Sequence, residues 1–253
     1  MFSFASLGSG SRGNATLVAW PEGMLLVDCG FSIRETLTRL ARLGVTPEQL
    51  TALAVTHEHG DHLKGIAPLA RRYRLPVYMT PGTYNSRALG DIPDLRLIHS
   101  YTPFELEGLA VEPVPVPHDA REPAQYLFRY GQKCLGLLTD LGSITSQVEA
   151  AYQECDALIL ESNHDAAMLA SGPYPYQLKQ RVGGPWGHLS NQQAAGLLAR
   201  LDRQRLQHLV VAHISQQNNA PDVLENTLGP WLADVQSVTY ASQEHGFGWL
   251  QIC

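Results

Sequence analysis

The sequence predicts an α/β fold in which two mixed β-sheets pack face to face with helices on the outside. Three observations carry that expectation. Apolar runs of strand length alternate with helical stretches along all 253 residues. The alternation occurs in both halves, which asks for two sheets, each covered by helices. No Pro/Gly/Ser linker, low-complexity block or fixed-period repeat interrupts it, so residues 1–253 are expected to form a single domain. With 44% of residues hydrophobic, the chain can bury a core of that size.

Taken in order, "FSFASLG", "ATLVAW" and "MLLVDCG" read as strands bounded by glycines. "SIRETLTRLARLG" reads as a helix with Ser32 as N-cap and Gly44 as its stop. "TALAVT" is a buried strand that runs into "THEHGDHLKG", Thr56 to Gly65, and "LKGIAPLARRY" continues as helix. "PVYM" is a strand, and "FELEGLAVEPVPVPHD" is a hairpin whose second arm delivers His118. "YLFRY" and "KCLGLLTD" pair as strands, and "ALILESN" is a third. "NQQAAGLLARL" is a helix and "LQHLVVAHIS" a strand, while "VQSVTYAS" with "GFGWLQI" can close a sheet.

Composition narrows the class. Cys29, Cys134, Cys155 and Cys253 lie far apart with no CxxC spacing, which argues against a disulfide framework or thiolate cluster and fits a reducing compartment. No apolar run reaches the roughly 18 residues of a membrane span, and "MFSFASLGSGSRG" lacks the basic start and long apolar stretch of a signal peptide. A cytoplasmic protein without a membrane partner is expected. The net charge of -6 argues against a generally basic nucleic-acid coat, yet carboxylates around a metal produce such a total while a local basic patch remains.

The chemistry concentrates in "THEHGDHLKG". His57 and His59, at spacing two in an extended loop, face the same side, and Asp61 and His62 follow where the chain turns into a helix. Imidazole and carboxylate together suit zinc, manganese or iron, and four donors at one strand end leave room for two divalent ions. His118, Asp140 and His213 each follow an apolar strand-like run and can add ligands. Glu58 has no clear role in this set and is expected to salt-bridge or face solvent.

The set HxHxDH followed by His, Asp and His resembles the metallo-β-lactamase superfamily over nearly the whole chain. That resemblance implies a four-layer αβ/βα sandwich. It places His57, His59 and His118 on one metal, Asp61, His62 and His213 on the other, and Asp140 between them. Asp28 in "LLVDCG" matches the buried aspartate that supports the family's metal loop without being a ligand. Flavodiiron oxidoreductases of the superfamily carry an acidic residue where this chain has His59, so a hydrolase is favoured. Two divalent ions lower the pKa of a bound water from about 15.7 to about 7, worth on the order of 11 kcal/mol, and so present hydroxide as nucleophile at neutral pH. Asp61 would orient that hydroxide.

The cluster alone fits thioesters, lactams, lactones and phosphodiesters, so the substrate must be read elsewhere. "GHLSNQQAAGLLARLDRQRLQHLVVAHIS" resembles the tRNase Z-like phosphodiesterases, with His188 in the position of the histidine that precedes the helix. A phosphodiester must expel an alkoxide, and an imidazole near neutral pKa can protonate it. His188 is therefore the candidate general acid or phosphate donor, with His164 as the second candidate. "SLGSGSRGN", "ESNHD", "GPYPYQLKQRV", "GHLSN" and "HISQQNN" together resemble the YycJ/WalJ family, whose implied activity is 5′ to 3′ exonuclease action on DNA.

The remaining candidates concern the nucleic acid. Lys179 and Arg181 can meet phosphates, and Tyr174, Tyr176 and Trp186 offer faces for stacking unpaired bases. Ser11 and Asn14 lie in a loop whose backbone N–H groups could cradle a phosphate or simply form a tight turn. Asn163 and Asn218 complete the set of candidate substrate contacts. The expected protein is a dinuclear metal-dependent phosphodiesterase acting on DNA. The rivals are a small-molecule hydrolase, whether a cyclic or small phosphodiesterase or a glyoxalase II-like thioesterase, and a binding module that has lost catalysis; all seven ligand positions are filled, which disfavours the last.

Overall fold

A computed structural model describes residues 1–86 and 89–253. The strands are β1 (Phe2–Gly8), β2 (Ala15–Trp20), β3 (Gly23–Val27), β4 (Ala52–Ala54), β5 (Val77–Met79), β6 (Leu95–Leu97), β7 (Phe104–Leu106), β8 (Leu109–Pro115), β9 (Ala124–Tyr130), β10 (Lys133–Leu138), β11 (Ala157–Glu161), β12 (His208–Ala212), β13 (Ser237–Tyr240) and β14 (Phe247–Ile252). They form two seven-stranded sheets, in the orders β14-β1-β2-β3-β4-β5-β6 and β13-β12-β11-β10-β9-β8-β7. Each is built the same way. Antiparallel pairs occupy one end and a parallel run the other, β3 to β6 in the first sheet and β10 to β13 in the second.

The period-two alternation of the strands explains the layering. In β10, β11 and β12, Leu135, Leu137, Ala157, Ile159, Val210 and Ala212 face the space between the sheets, where they meet Phe4, Val18, Leu25 and Val27 of the first sheet. The intervening residues, Cys134, Leu138, Leu158, Leu160, Leu209 and Val211, face the other way. They pack under α5 (Ser146–Ala151), α8 (Asn191–Arg200) and α9 (Pro221–Leu228). On the first sheet, Leu17, Leu26 and Leu53 are covered by α1 (Ile33–Arg42) and α3 (Ile66–Tyr73). Helix, sheet, sheet, helix is the expected four-layer order.

Local signals behave as their chemistry requires. Ser32 caps α1 through its hydroxyl, which accepts from Glu35 N–H, and Gly44 ends the helix at φ 72°. Ser190 and Gln193 make a reciprocal capping box at the start of α8, an arrangement worth about 1 kcal/mol. Two expectations change. The helix expected over "LKGIAPLARRY" divides at Gly65 into α2 (Gly60–Leu63) and α3, because Gly65 N–H donates to Cys29 instead of continuing the first turn. The two last strands close different sheets: β13 runs parallel to β12, whereas β14 crosses over to pair with β1. The proline-tyrosine segment is largely helical, with α6 (Ala166–Ser171) before it and α7 (Tyr176–Val182) within it, because Pro175 stands at the helix's N-cap, where an imino nitrogen costs nothing. A short α4 (Pro81–Asn85) follows β5.

Candidate metal centre

The site forms where the strands end. Asp28 follows β3, Thr56 to His62 follow β4, His118 follows β8, Asp140 follows β10, Glu161 closes β11 and His213 follows β12. Asp28, Asp140 and His213 all adopt left-handed backbone, at φ 61°, 54° and 52°. This turns the chain sharply at the sheet edge. The loops lie close enough that Gly30 is required: a Cβ there would stand 1.8 Å from the Asp61 carbonyl oxygen.

Hydrogen bonds assign the imidazole tautomers. The Thr56 hydroxyl donates to Asp28 Oδ2 at 2.8 Å and accepts from His57 Nδ1 at 2.9 Å, which leaves His57 Nε2 bare. His62 Nδ1 donates to Asp28 Oδ2 at 2.8 Å and His118 Nδ1 to the Gly187 carbonyl at 3.0 Å, so their Nε2 atoms are bare as well. His59 Nδ1 lies 3.0 Å from His57 Nε2 and 3.2 Å from His118 Nε2. A tetrahedral cation with nitrogen ligands at about 2.0–2.1 Å separates them by about 3.3 Å, so three converging lone pairs fit one divalent ion.

A second set adjoins the first. Asp61, His62 and His213 bring their ligand atoms within 4.8 Å of one another, and Asp140 shares such a set with His57 and His62. His62 Nε2 is 3.4 Å from Asp140 Oδ2 and 3.6 Å from Asp61 Oδ2. Asp140 Oδ2 and His213 Nε2 are buried with no hydrogen-bond partner among the described residues. Two orphaned lone pairs at this point are what a cation would satisfy. All seven residues expected as ligands are thus brought together, with Asp140 between the two groups, and they suit divalent metal ions.

Glu161 escaped the sequence reading. Its Oε1 accepts from His188 Nδ1 and His213 Nδ1, both at 2.8 Å, and its Oε2 from the backbone N–H groups of Leu189 at 3.1 Å and Leu141 at 3.3 Å. Burial opposes its ionisation, but His188 and His213 overcome that and hold its carboxyl at about 2. The same economy governs the centre. Burial would lower His213, yet Asp140 and Glu161 push it up to about 9; burial and the neighbouring imidazoles drive His57 well below the usual range. Burial likewise opposes Asp140, which His213 and His62 pull well below the carboxylate range. Carboxylates gathered this closely demand positive charge, as protons or as metal.

A cleft of about 290 Å³ opens over the centre, lined by Ser11, Asp61, Asn163, Tyr174, Arg181 and His188 among others. Arg181 pairs with Asp119, which also lies 3.8 Å from His59 Nε2 and 3.5 Å from His118 Nε2; this carboxylate, directly after a ligand histidine, also went unread. Asn14 places its amide 3.0 Å from His62 Nε2 and 3.4 Å from Asp61 Oδ2. Its loop is no anion cradle: the N–H groups of Ser9, Gly10, Arg12 and Gly13 all donate within the protein, and the tight-turn alternative holds.

Other candidates lie elsewhere. His164 lines a separate cavity, because consecutive residues of an extended segment face opposite ways and Asn163 takes the cleft side. Lys179 lines that same cavity, its ammonium donating to the Ala170 carbonyl at 2.7 Å. Asn218 is fully buried, its carbonyl accepting from Asp165 N–H, and it does not reach the cleft. Glu58 neither joins the ligand sets nor faces solvent; it accepts from Arg121 N–H.

The family of beta-lactamase superfamily domains matches residues 24–214. The chain is 35% identical over 249 residues to the exodeoxyribonuclease YycJ of Bacillus anthracis, covering 97% of this chain and 90% of that protein. It is 34% identical over 239 residues to the exodeoxyribonuclease WalJ of Streptococcus pneumoniae, covering 92% and 88%. In three dimensions it is similar to the metallo-beta-lactamase fold protein YhfI from Bacillus subtilis, with a TM-score of 0.76 at 18% identity over 99% of this chain and 100% of that one.

Proposed function

The chain belongs to the beta-lactamase superfamily, and on that premise we propose that it is a metal-dependent phosphodiesterase that removes nucleotides from the 5′ end of DNA. The observation that carries the reading is the meeting of two His/Asp ligand sets at Asp140 beneath a cleft that also presents His188 and Arg181. The exodeoxyribonuclease relatives supply the substrate class.

His57, His59 and His118 would hold one divalent ion and Asp61, His62 and His213 another, with Asp140 reaching both; zinc, manganese and iron all suit these donors. When bound, such ions supply Lewis acidity and an activated water. The residues do the rest. Asp61 lines the cleft and orients the attacking water. Arg181, braced by Asp119, meets a phosphate oxygen. Glu161 fixes the His188 ring with Nδ1–H inward and Nε2 left for the cleft, from which the imidazolium form would deliver its Nε2 proton to the leaving 3′ oxygen and return to the neutral Nδ1–H tautomer. Ser11 and Asn163 contact the strand at the cleft wall, Asn14 acts from beneath it through His62 and Asp61, and residues 1–253 work as one cytoplasmic domain.

The test is digestion of end-labelled single-stranded DNA with Mn²⁺ by wild type and by His59→Ala. Stepwise shortening from the 5′ end by wild type alone supports the reading. Turnover of a small diester or a thioester, with labelled DNA left intact, overturns it.

A further inference from the structure

Beside the cleft, on the far side of α7, lies a second cavity of about 570 Å³. The helix is the partition between them: Leu178, Arg181 and Val182 face the metal centre, whereas Tyr176, Lys179 and Gln180 face the second cavity. The floor of that cavity is apolar, from Leu169 with Ala166 and Ala170, and its walls carry the Gln180 carboxamide, while the Gln193 carboxamide is engaged with Ser190 and Gly142. The Tyr176 ring stands at the rim, 75% exposed. His164 is 3% exposed, and its Nδ1 has no hydrogen-bond partner among the described residues. An unpaired buried polar atom of this kind calls for an explanation.

The chemistry discriminates among ligands. Lys179 is the one cation among the lining residues, and its ammonium already serves the Ala170 carbonyl, so the cavity is poorly made for a phosphate. Burial lowers the pKa of His164 and keeps its ring neutral, with one donor and one acceptor nitrogen. An apolar floor, an aromatic face at the rim, the Gln180 carboxamide and a neutral imidazole suit a flat heterocycle with donors and acceptors on its edge. We propose that this cavity takes an unpaired base of the DNA strand whose phosphodiester lies in the neighbouring cleft. The backbone then passes over α7, and the base turned into the cavity holds the strand in register with the metal centre.

This inference rests on the nuclease reading, and the experiment separates the two. Mn²⁺-loaded full-length protein is given 3′-labelled single strands carrying one abasic residue at successive positions from the 5′ end. A small diester, bis(p-nitrophenyl) phosphate, reports on the metal centre alone. Ala166→Trp and Ala170→Trp, at exposed helix positions that line the cavity, fill it without disturbing the core. Wild type should lose about 5- to 150-fold in kcat/KM when the abasic residue stands at one particular position near the scissile bond. Both tryptophan variants should show that loss on intact DNA, no further loss with the abasic strand, and unchanged turnover of the small diester. DNA shortening without a sensitive position, or with one that persists in both variants, overturns the cavity and leaves the nuclease standing. No shortening by wild type overturns both.

Discussion

Replacing Glu161 with Gln tests the centre at its least conspicuous member. Four donors converge on this buried carboxylate: two imidazole N–H groups on Oε1 and two backbone N–H groups on Oε2. A carboxamide has one acceptor oxygen, so its NH₂ must face either the two backbone amides or the two histidines. In the first case two buried amides lose an acceptor at about 1–3 kcal/mol each. In the second, His213 must move its proton to Nε2, the atom that is otherwise bare and aimed at the second ligand set. Both routes weaken metal binding, by about 10- to 100-fold, which is about 1.4–2.8 kcal/mol. The rate should fall further, by about 10²- to 10³-fold, because His188 loses the partner that fixes its tautomer. Competition against a chromogenic chelator gives the affinity, diester turnover gives the rate, and far-UV circular dichroism checks the fold. A folded E161Q protein with wild-type affinity and rate would refute the assignment of Glu161 as the residue positioning both histidines.

Further outcomes follow from the same geometry. Asp28→Ala leaves Thr56 N–H, the Thr56 hydroxyl and His62 Nδ1 without their acceptor, and should lower stability by about 2–5 kcal/mol in urea titration. Gly30→Ala drives a methyl against the Asp61 carbonyl and should cost about 3 kcal/mol or more by the same measurement, with loss of bound metal in elemental analysis. Thiol labelling of the native protein at pH 8 should modify Cys253 quickly and Cys29 slowly, since Cys253 is exposed and Cys29 is buried. Burial raises the Cys29 thiol to about 11 from 9.0. Folding therefore favours its protonated form, and that contribution is full below pH 9 and lost as pH rises through 11, a decline readable in alkaline unfolding curves.

The ligands were legible in the sequence because four of them are local and the other three each sit directly after an apolar run, where a strand end has little alternative but to meet its neighbours. Glu161 and Asp119 were not, since a carboxylate after "LIL" or beside a ligand histidine has no spacing that distinguishes a positioning group from an ordinary surface residue. His188 is the first acid candidate and His164 the second, and one residue of strand parity decides that Asn163 and not His164 faces the cleft; parity at an irregular strand end is set by tertiary contacts, here Asn163 N–H to the Leu189 carbonyl and Asn191 N–H to the His164 carbonyl. Helix α7 was hidden by its prolines, which break helical patterns in the interior yet favour a helix start. The destinations of β13 and β14 depend on a crossover between sheets, which no local pattern encodes.

Asp28, Asp140 and His213 share a left-handed backbone that costs an L-residue on the order of 1–2 kcal/mol per position. The expense falls unequally, since aspartate tolerates that region better than histidine does. At position 213 the scaffold and the chemistry therefore want different residues, and glycine there would relax the turn while abolishing a ligand. A lineage released from metal chemistry would gain stability by drifting to glycine or asparagine at such corners before its core changed. With aspartate at 140 and histidine at 213, this chain keeps both donors and carries the strain of both corners.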